Sequence, residues 1–107
     1  MLTTQEIQQV QKSVKDDPST NENRLSFVFE ALADATRLKI FQLLIKYKGL
    51  CVTDLANVCK LSVPAISYQL KIMEIVGLVK KERMGKMICY KVRENDSLVK
   101  RFVKIIR

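Results

Sequence analysis

The sequence predicts a mainly α-helical domain with one β-hairpin near its carboxyl end. Apolar residues recur at helical spacing over most of the chain, and this spacing changes to alternation between Leu78 and Arg93. Glycine or a capping residue stands at most boundaries between these segments. Because 107 residues suffice for one hydrophobic core but not for two, we expect a single main domain.

The amino-terminal segment is predicted to form a separate helical arm. Ile7, Val10 and Val14 lie at helical spacing in residues 4–15 and form a narrow apolar stripe. Residues 16–21 combine aspartate, proline, serine, threonine and asparagine, a composition typical of a linker. We therefore assign residues 1–20 to an arm and linker and residues 21–107 to the main domain.

Two longer helices should form the centre of this domain. The first ends near residue 33, and its apolar residues follow the i, i+3, i+4, i+7 pattern: Leu25, Val28, Phe29 and Leu32. Asp34 is a suitable N-cap for the second, which extends to about Lys48 and is stopped by Gly49. Since the second helix is apolar on nearly every side, it should lie in the core.

A pair of short helices is predicted next. The first opens at Thr53 or Asp54, and a tight turn at residues 60–61 leads to the second, over about residues 63–76, which Ser62 caps. Two short helices joined in this way form a helix-turn-helix motif. In such a motif the second helix is the one that enters the major groove of DNA.

The alternating segment over residues 78–93 predicts a hairpin with its turn at residues 84–86. One face carries Ile88, Tyr90 and Val92, and the other carries Met87, Cys89 and Lys91. A hairpin directly after a helix-turn-helix makes the domain a winged helix-turn-helix. A last helix, over about residues 96–107, begins at Asp96 or Ser97 and has a broad apolar face.

The outer face of the second short helix is the candidate DNA-binding surface. Ile66, Leu70 and Met73 share one stripe and should be buried. The opposite face has small or hydrogen-bonding side chains and no carboxylate, and it comprises Pro64, Ala65, Ser67, Tyr68 and Lys71, with Ser62 at the start of the helix. Small side chains allow close approach to DNA, and hydroxyl groups can read base edges.

The positive charge is concentrated beside this face. The formal net charge is +8, and residues 71–93 contain seven basic and two acidic side chains. Lys86 at the hairpin tip and Arg83 beside it are candidate contacts to the DNA backbone. Lysines on a hairpin can also serve only to keep a solvated edge from aggregating. The preceding helix pair favours DNA binding over that interpretation.

Two strings carry a resemblance to a known family: ALADATRLKIFQLL at 31–44 and CVTDLANVCKLSVPAISYQLKIMEIVGLVKKERMGKMICYKV at 51–92. The strongest part of the second string is LSVPAISYQLKIMEIVGLV at 61–79. With their spacing, they resemble the ArsR/SmtB repressors over about residues 25–98. The resemblance implies a homodimer formed through the outer helices, a double-stranded DNA operator, and release when a metal or other toxicant binds. It places DNA contacts at Pro64, Ala65, Ser67, Tyr68 and Gln69, with Arg83 and Lys86 at the backbone.

The dimer is also expected from the residues themselves. The first and last helices carry apolar faces that a domain of this size has difficulty covering within one subunit. A two-fold dimer would bury these faces and would set the two DNA half-sites about 34 Å apart.

The inducer is less well defined by the sequence. Many family members bind metal through Cys-x-Cys at the start of the first short helix, where this chain has Cys51-Val52-Thr53. Tetrahedral zinc needs four donors, and one thiol cannot supply them. A second family site uses carboxylates and histidines of the last helix, and here Glu94 and Asp96 are present but histidine is absent.

Cys51, Glu94 and Asp96 are therefore only candidate ligands for a thiophilic metal inducer. Cys89 should lie on the open face of its strand, which makes it the candidate redox-sensitive thiol. The three cysteines are odd in number and lack CxxC spacing, so the sequence predicts no disulfide framework.

Other functions are less consistent with the residues. Without histidine or a glycine-rich phosphate loop, no catalytic constellation can be assembled, so we do not expect an enzyme. No apolar run approaches the roughly 20 residues of a membrane span, and no secretory signal is visible, so a cytoplasmic location is expected. The alternative function is a winged-helix protein-interaction or dimerisation module without DNA binding.

Overall fold

The computed structural model describes residues 1–16 and 22–107. In these residues it contains six helices and one antiparallel hairpin. In chain order the elements are α1 (Thr4–Asp16), α2 (Glu22–Ala33), α3 (Ala35–Lys46), α4 (Val52–Cys59), α5 (Val63–Ile75), β1 (Val79–Met84), β2 (Met87–Val92) and α6 (Ser97–Ile106). The predicted linker lies outside the described residues except for Asp16, which is the last residue of α1.

Three of the predicted helix caps are confirmed. The Asp34 carboxylate accepts the Arg37 N–H at 3.0 Å, and the Ser62 hydroxyl oxygen accepts the Ala65 N–H at 3.2 Å. Asp96 accepts the N–H groups at the start of α6. These bonds satisfy backbone donors that have no partner within the helix, which is why α3, α5 and α6 begin where the sequence indicates.

Two predicted helix boundaries are wrong. Helix α4 opens at Val52 rather than at Thr53 or Asp54, because Cys51 is its N-cap and the Asp54 carboxylate reaches back to the Cys51 N–H at 3.0 Å. Asp54 thus stabilises the start of α4 from its third helical position. Helix α3 ends at Lys46, two residues before the predicted end, since the backbone is already extended at the next residue.

The hydrophobic core lies between α3, α5 and the base of the hairpin. Its fully buried side chains include Phe41 of α3, Leu55 of α4 and the predicted stripe of α5, Ile66, Leu70 and Met73. Helix α6 joins this core through Val99 and Phe102. Burial of the α5 stripe fixes the rotation of α5 and therefore determines which of its side chains face outward.

A second set of apolar side chains stays exposed on the single chain. Ile7, Val10 and Val14 of α1 are exposed, as are Leu25 and Phe29 of α2, whereas Val28 and Leu32 are buried as the helical pattern indicates. The Phe29 ring packs in an edge-to-face arrangement with the Phe102 ring, with 5.1 Å between centroids, and still has more than half of its surface exposed. At the end of α6, Ile105 is also exposed. These residues form an apolar surface that the chain does not cover by itself.

The hairpin forms as predicted, but the exposure predicted for Cys89 is wrong. Cys89 is completely buried, and its sulfur is bonded to that of Cys51. The backbone at Cys51 forms an isolated antiparallel bridge with Cys89, and α3 and α4 both contact β2. Both faces of β2 are therefore covered near its base, although alternation in the sequence suggested one open face. The expectation that the cysteines form no disulfide is also wrong, because the fold brings Cys51 against Cys89.

Within residues 1–16 and 22–107, no helix combines the length and the apolar character needed to cross a membrane.

Candidate DNA-binding surface

The face of α5 opposite its buried stripe is open to solvent on this chain. Pro64 and Lys71 are exposed, Ala65 and Ser67 are half-buried, and Tyr68 has 65% of its surface exposed. An aromatic residue on a helix usually packs in the core, but here the core positions are already occupied by the stripe. Tyr68 is therefore available to stack on or hydrogen-bond to a partner.

The start of α5 is exposed and carries small side chains. The Ser62 oxygen caps the helix, so only its hydroxyl hydrogen remains to be donated to a partner. Pro64 lies in the first turn, where its missing N–H costs no hydrogen bond. The free N–H groups at this end can therefore approach a phosphate without a bulky side chain in the way.

A contact that the sequence reasoning missed holds Gln69 in place. The Arg37 guanidinium of α3 donates to the Gln69 side-chain oxygen at 2.8 Å and to the Ala31 carbonyl oxygen at 2.8 Å. The Gln69 oxygen is thus turned toward the protein, which leaves its amide N–H groups to donate outward. Arg37 and Gln69 are 32 residues apart, so no local spacing could predict the pair.

The cations of the hairpin differ in whether their charge is already paired with a carboxylate. Arg83 and Lys86 are exposed, and neither has an ion-pair partner in the described part of the chain. Lys91, in contrast, pairs with Glu82 across the hairpin at 2.7 Å. The charge of Lys91 is already balanced, whereas the charges of Arg83 and Lys86 are available to phosphate.

The candidate metal ligands are not brought together. Cys51 is bonded to Cys89, and Glu94 pairs with Lys48 at 3.5 Å. Asp96 accepts two backbone N–H groups and the Arg24 guanidinium, the last at 2.7 Å. Among the described residues, no group of three or more cysteine, aspartate or glutamate side chains is placed to hold a metal ion.

The Asp96 carboxylate instead has a structural role that depends on pH. Its hydrogen bond from Arg24 lowers its pKa below the usual 3.8, and the N–H groups of Val99 and Leu98 act in the same direction. A carboxylate with a lowered pKa stabilises the fold fully above its unfolded pKa. This stabilisation is lost as the pH falls through the lower folded value.

We expect Asp96→Asn to reduce the free energy of unfolding by about 1–2 kcal/mol at neutral pH, since asparagine still caps α6 but loses the charged bond to Arg24. Urea unfolding near pH 7 and near pH 3 measures the effect, and the difference from the unsubstituted chain should shrink at the lower pH. A difference of the same size at both pH values would contradict the role of the charge.

The site combines a helix face of small side chains with a hairpin that carries exposed cations, both on a helix-turn-helix core. This combination defines a winged helix-turn-helix regulator of transcription. The family model described as "Bacterial regulatory protein, arsR family" matches residues 34–81, which extend from the N-cap of α3 into β1. The cadmium resistance transcriptional regulatory protein CadC homolog of Staphylococcus aureus is 34% identical over 95 residues, covering 89% of this chain and 77% of that protein. The chain belongs to the ArsR family.

Further relatives agree with this assignment. The transcriptional repressor SmtB homolog of a Synechocystis species is 35% identical over 89% of this chain and 70% of its own length. Among solved structures, HlyU of Vibrio cholerae superposes with a TM-score of 0.72 at 24% identity, covering 82% of this chain and 92% of that one. A homodimeric winged helix-turn-helix DNA-binding domain from Mycobacterium bovis gives a TM-score of 0.69 at 22% identity, with coverages of 84% and 86%. At these identities the two structures support the fold alone.

Proposed function

We propose that the protein is a homodimeric transcription repressor that binds a specific operator in double-stranded DNA through α5 and the β1–β2 hairpin. The observation that carries this proposal is the outward face of α5. It has no carboxylate, its Pro64, Tyr68 and Lys71 are exposed, and unpaired cations stand on the adjacent hairpin. A helix with such a face can enter the major groove without electrostatic repulsion from phosphate.

The proposed contacts divide into two kinds. Ser67, Tyr68 and the amide group of Gln69 can donate hydrogen bonds to base edges, and Tyr68 can also pack on a thymine methyl group. Phosphate is contacted by Lys71 and by the hairpin cations Arg83 and Lys86, with Ser62 at the helix start. Pro64 and Ala65 contribute by being small, since they let the start of α5 descend into the groove.

The homodimer is proposed from the uncovered apolar surface of α1, α2 and α6. Leu25 and Phe29 of α2 and Ile105 of α6 are large apolar residues exposed on the single chain, and α1 contributes its whole apolar stripe. A second copy would bury these side chains across a two-fold axis. It would also place two α5 helices at successive major grooves, about 34 Å apart.

We also propose that an inducer releases the repressor from its operator, and a thiophilic metal ion is one candidate. CadC and SmtB homologs carry names that refer to cadmium resistance and to repression. The described cysteine, aspartate and glutamate side chains of this protein do not form a group of three or more that could hold a metal ion. A thiophilic metal would therefore have to recruit ligands from two subunits, after the Cys51–Cys89 bond is reduced.

Operator binding is tested with the DNA fragment upstream of the protein's own gene, by fluorescence anisotropy at two salt concentrations. We expect Lys86→Ala to weaken binding several-fold on every DNA sequence and to reduce the slope of log K against log salt by about one unit. Lys100→Ala, on the exposed side of α6, is the matched control and should leave both quantities unchanged.

Failure of the unsubstituted protein to prefer this fragment over unrelated DNA at either salt concentration would count against operator recognition. An interaction module without DNA binding, the alternative function, predicts no measurable binding to either fragment.

A further inference from the structure

We propose that a groove between α2 and the end of α5 binds a small amphiphilic anion, and that this binding weakens the affinity of the protein for its operator. Such a ligand has one anionic head group and an apolar body. The proposal that the groove binds this ligand does not depend on the proposed function, whereas the proposed effect on operator affinity rests on it. The groove has a volume of about 570 Å³, and its lining includes Arg24, Phe27, Ile75, Val76, Gly77 and Arg93.

The groove has the size and the apolar lining of a small-molecule site. Sites for small molecules generally measure about 300–1,000 Å³ and combine apolar walls with a few polar groups. Here Phe27 of α2 is 56% exposed and Ile75 of α5 is 75% exposed, so the groove contains two large apolar side chains that the chain leaves uncovered. An apolar ligand body would remove this surface from water.

Two guanidinium groups converge at one end of the groove. A Cβ atom placed on Gly77 would lie 3.1 Å from Arg93 Nη1 and 3.2 Å from Arg24 Nη2, so these two nitrogens are at most about 6 Å apart. Arg24 is paired with Asp96 at 2.7 Å, whereas Arg93 has no ion-pair partner among the described residues. The positive charge of Arg93 therefore stands beside an apolar wall without a counter-charge from a described side chain.

This charge selects the head group of the ligand. Guanidinium groups bind carboxylate and phosphate through paired, charge-assisted hydrogen bonds. An anion placed above Gly77 could contact Arg93 and approach Arg24, and it would balance the charge of Arg93. Glycine is favoured at this point because its φ is +81°, a conformation that residues with a Cβ rarely adopt.

The groove is distinct from the surface proposed for the dimer. On a helix, Phe27 lies about 160–200° around the axis from Leu25 and Phe29, so it points to the other side of α2. Ile75 and Val76 belong to the end of α5, which carries none of the apolar residues assigned to dimerisation. We therefore assign the groove to a small ligand rather than to a second copy of the chain.

The location gives the ligand a route to operator affinity. Ile75 and Val76 end the proposed recognition helix, Gly77 joins that helix to β1, and Arg93 follows β2. The Arg93 N–H donates to the Leu78 carbonyl oxygen at 3.0 Å, which ties the two ends of the hairpin together at this point. A ligand that touches all three elements can favour one orientation of α5 relative to the hairpin and so change the affinity for DNA.

Ligand binding is tested on the full chain by isothermal titration calorimetry with octanoate, octyl phosphate, octanol and acetate. We expect octanoate to bind at least ten-fold more tightly than octanol or acetate, because of these three only octanoate has both an anionic head group and an apolar chain. Tighter binding of octyl phosphate than of octanoate would support the anion site and assign its head group to phosphate. Equal binding of octanoate and octanol, or no binding of any amphiphile, would overturn the site.

Two variants locate the binding. Arg93→Met keeps the apolar stem and should weaken octanoate at least ten-fold while leaving octanol unchanged, and Ile75→Asn should weaken both. Since Arg93 and Ile75 are exposed, neither change should unfold the chain, which circular dichroism checks. Arg101→Met, an exposed arginine of α6 outside the groove, is the matched control. Equal loss in Arg93→Met and Arg101→Met would show a nonspecific charge effect and would reject the site.

The regulatory half is tested by adding octanoate to the protein–operator complex. We expect operator affinity to fall about ten-fold for the unsubstituted protein and not for Arg93→Met. Octanoate that binds in the calorimeter without changing operator affinity would reject regulation by this groove. A protein that binds octanoate but no operator would reject the proposed function and leave the groove assignment intact.

Discussion

Replacing Ser67 and Tyr68 together by alanine is expected to lower the affinity for the operator about 100-fold. Each side chain stands on the outward face of α5, and a good contact to a base edge contributes about 1–3 kcal/mol of discrimination. Affinity for unrelated DNA should change little, because the lysines and arginines that contact phosphate are untouched. The specificity ratio, measured by anisotropy on operator and unrelated fragments at one salt concentration, reports the difference.

The matched control for this experiment is Ser26→Ala/Tyr47→Ala. It removes the same two side-chain types from exposed positions on α2 and just after α3. We expect this control to bind the operator as the unsubstituted protein does. An unchanged specificity ratio for Ser67→Ala/Tyr68→Ala would contradict base reading by α5. An equal loss on both DNA fragments would assign these side chains to backbone contact instead.

Loss of the Cys51–Cys89 bond is expected to lower the free energy of unfolding by about 4 kcal/mol. The bond closes a loop with a sequence separation of 38 residues, and a cross-link of that span restricts the unfolded chain by roughly this amount. Cys51→Ser/Cys89→Ser, compared with the unsubstituted chain by urea unfolding under oxidising conditions, measures the loss. The unsubstituted chain with a reductant should shift toward the variant.

Cys59→Ser serves as the control, since Cys59 is a free, half-buried cysteine near the end of α4. We expect it to change the stability much less and to leave the response to reductant intact. Thiol titration of the unfolded, unreduced protein should detect the thiol of Cys59 alone. Detection of two further thiols would show that the Cys51–Cys89 bond does not form. A reductant that leaves the unfolding curve unmoved would contradict its contribution to stability.

Several features that depend on neighbouring residues agree with their predictions, whereas a feature that depends on residues distant in sequence does not. Asp34, Ser62 and Asp96 were predicted as caps because a cap bonds to N–H groups two or three residues away, which the sequence displays directly. The buried stripe of α5 was predicted for a similar reason, since helical periodicity lies within one segment. The exposure of Cys89 was predicted wrongly because alternation along β2 does not reveal that the chain near Cys51 covers its second face.

Local patterns along the chain are enough to predict the order of helices and strands, the helix-turn-helix with its hairpin, and the outward face of α5. Each depends on spacing within a short stretch of chain, where the period of apolar residues and the capping groups act. Three further features arise from the packing of the folded chain: the Arg37–Gln69 contact, the Cys51–Cys89 bond and the convergence of Arg24 and Arg93 above Gly77. These join residues distant in sequence, and their distances are set by how the core packs α2, α3 and α5 together.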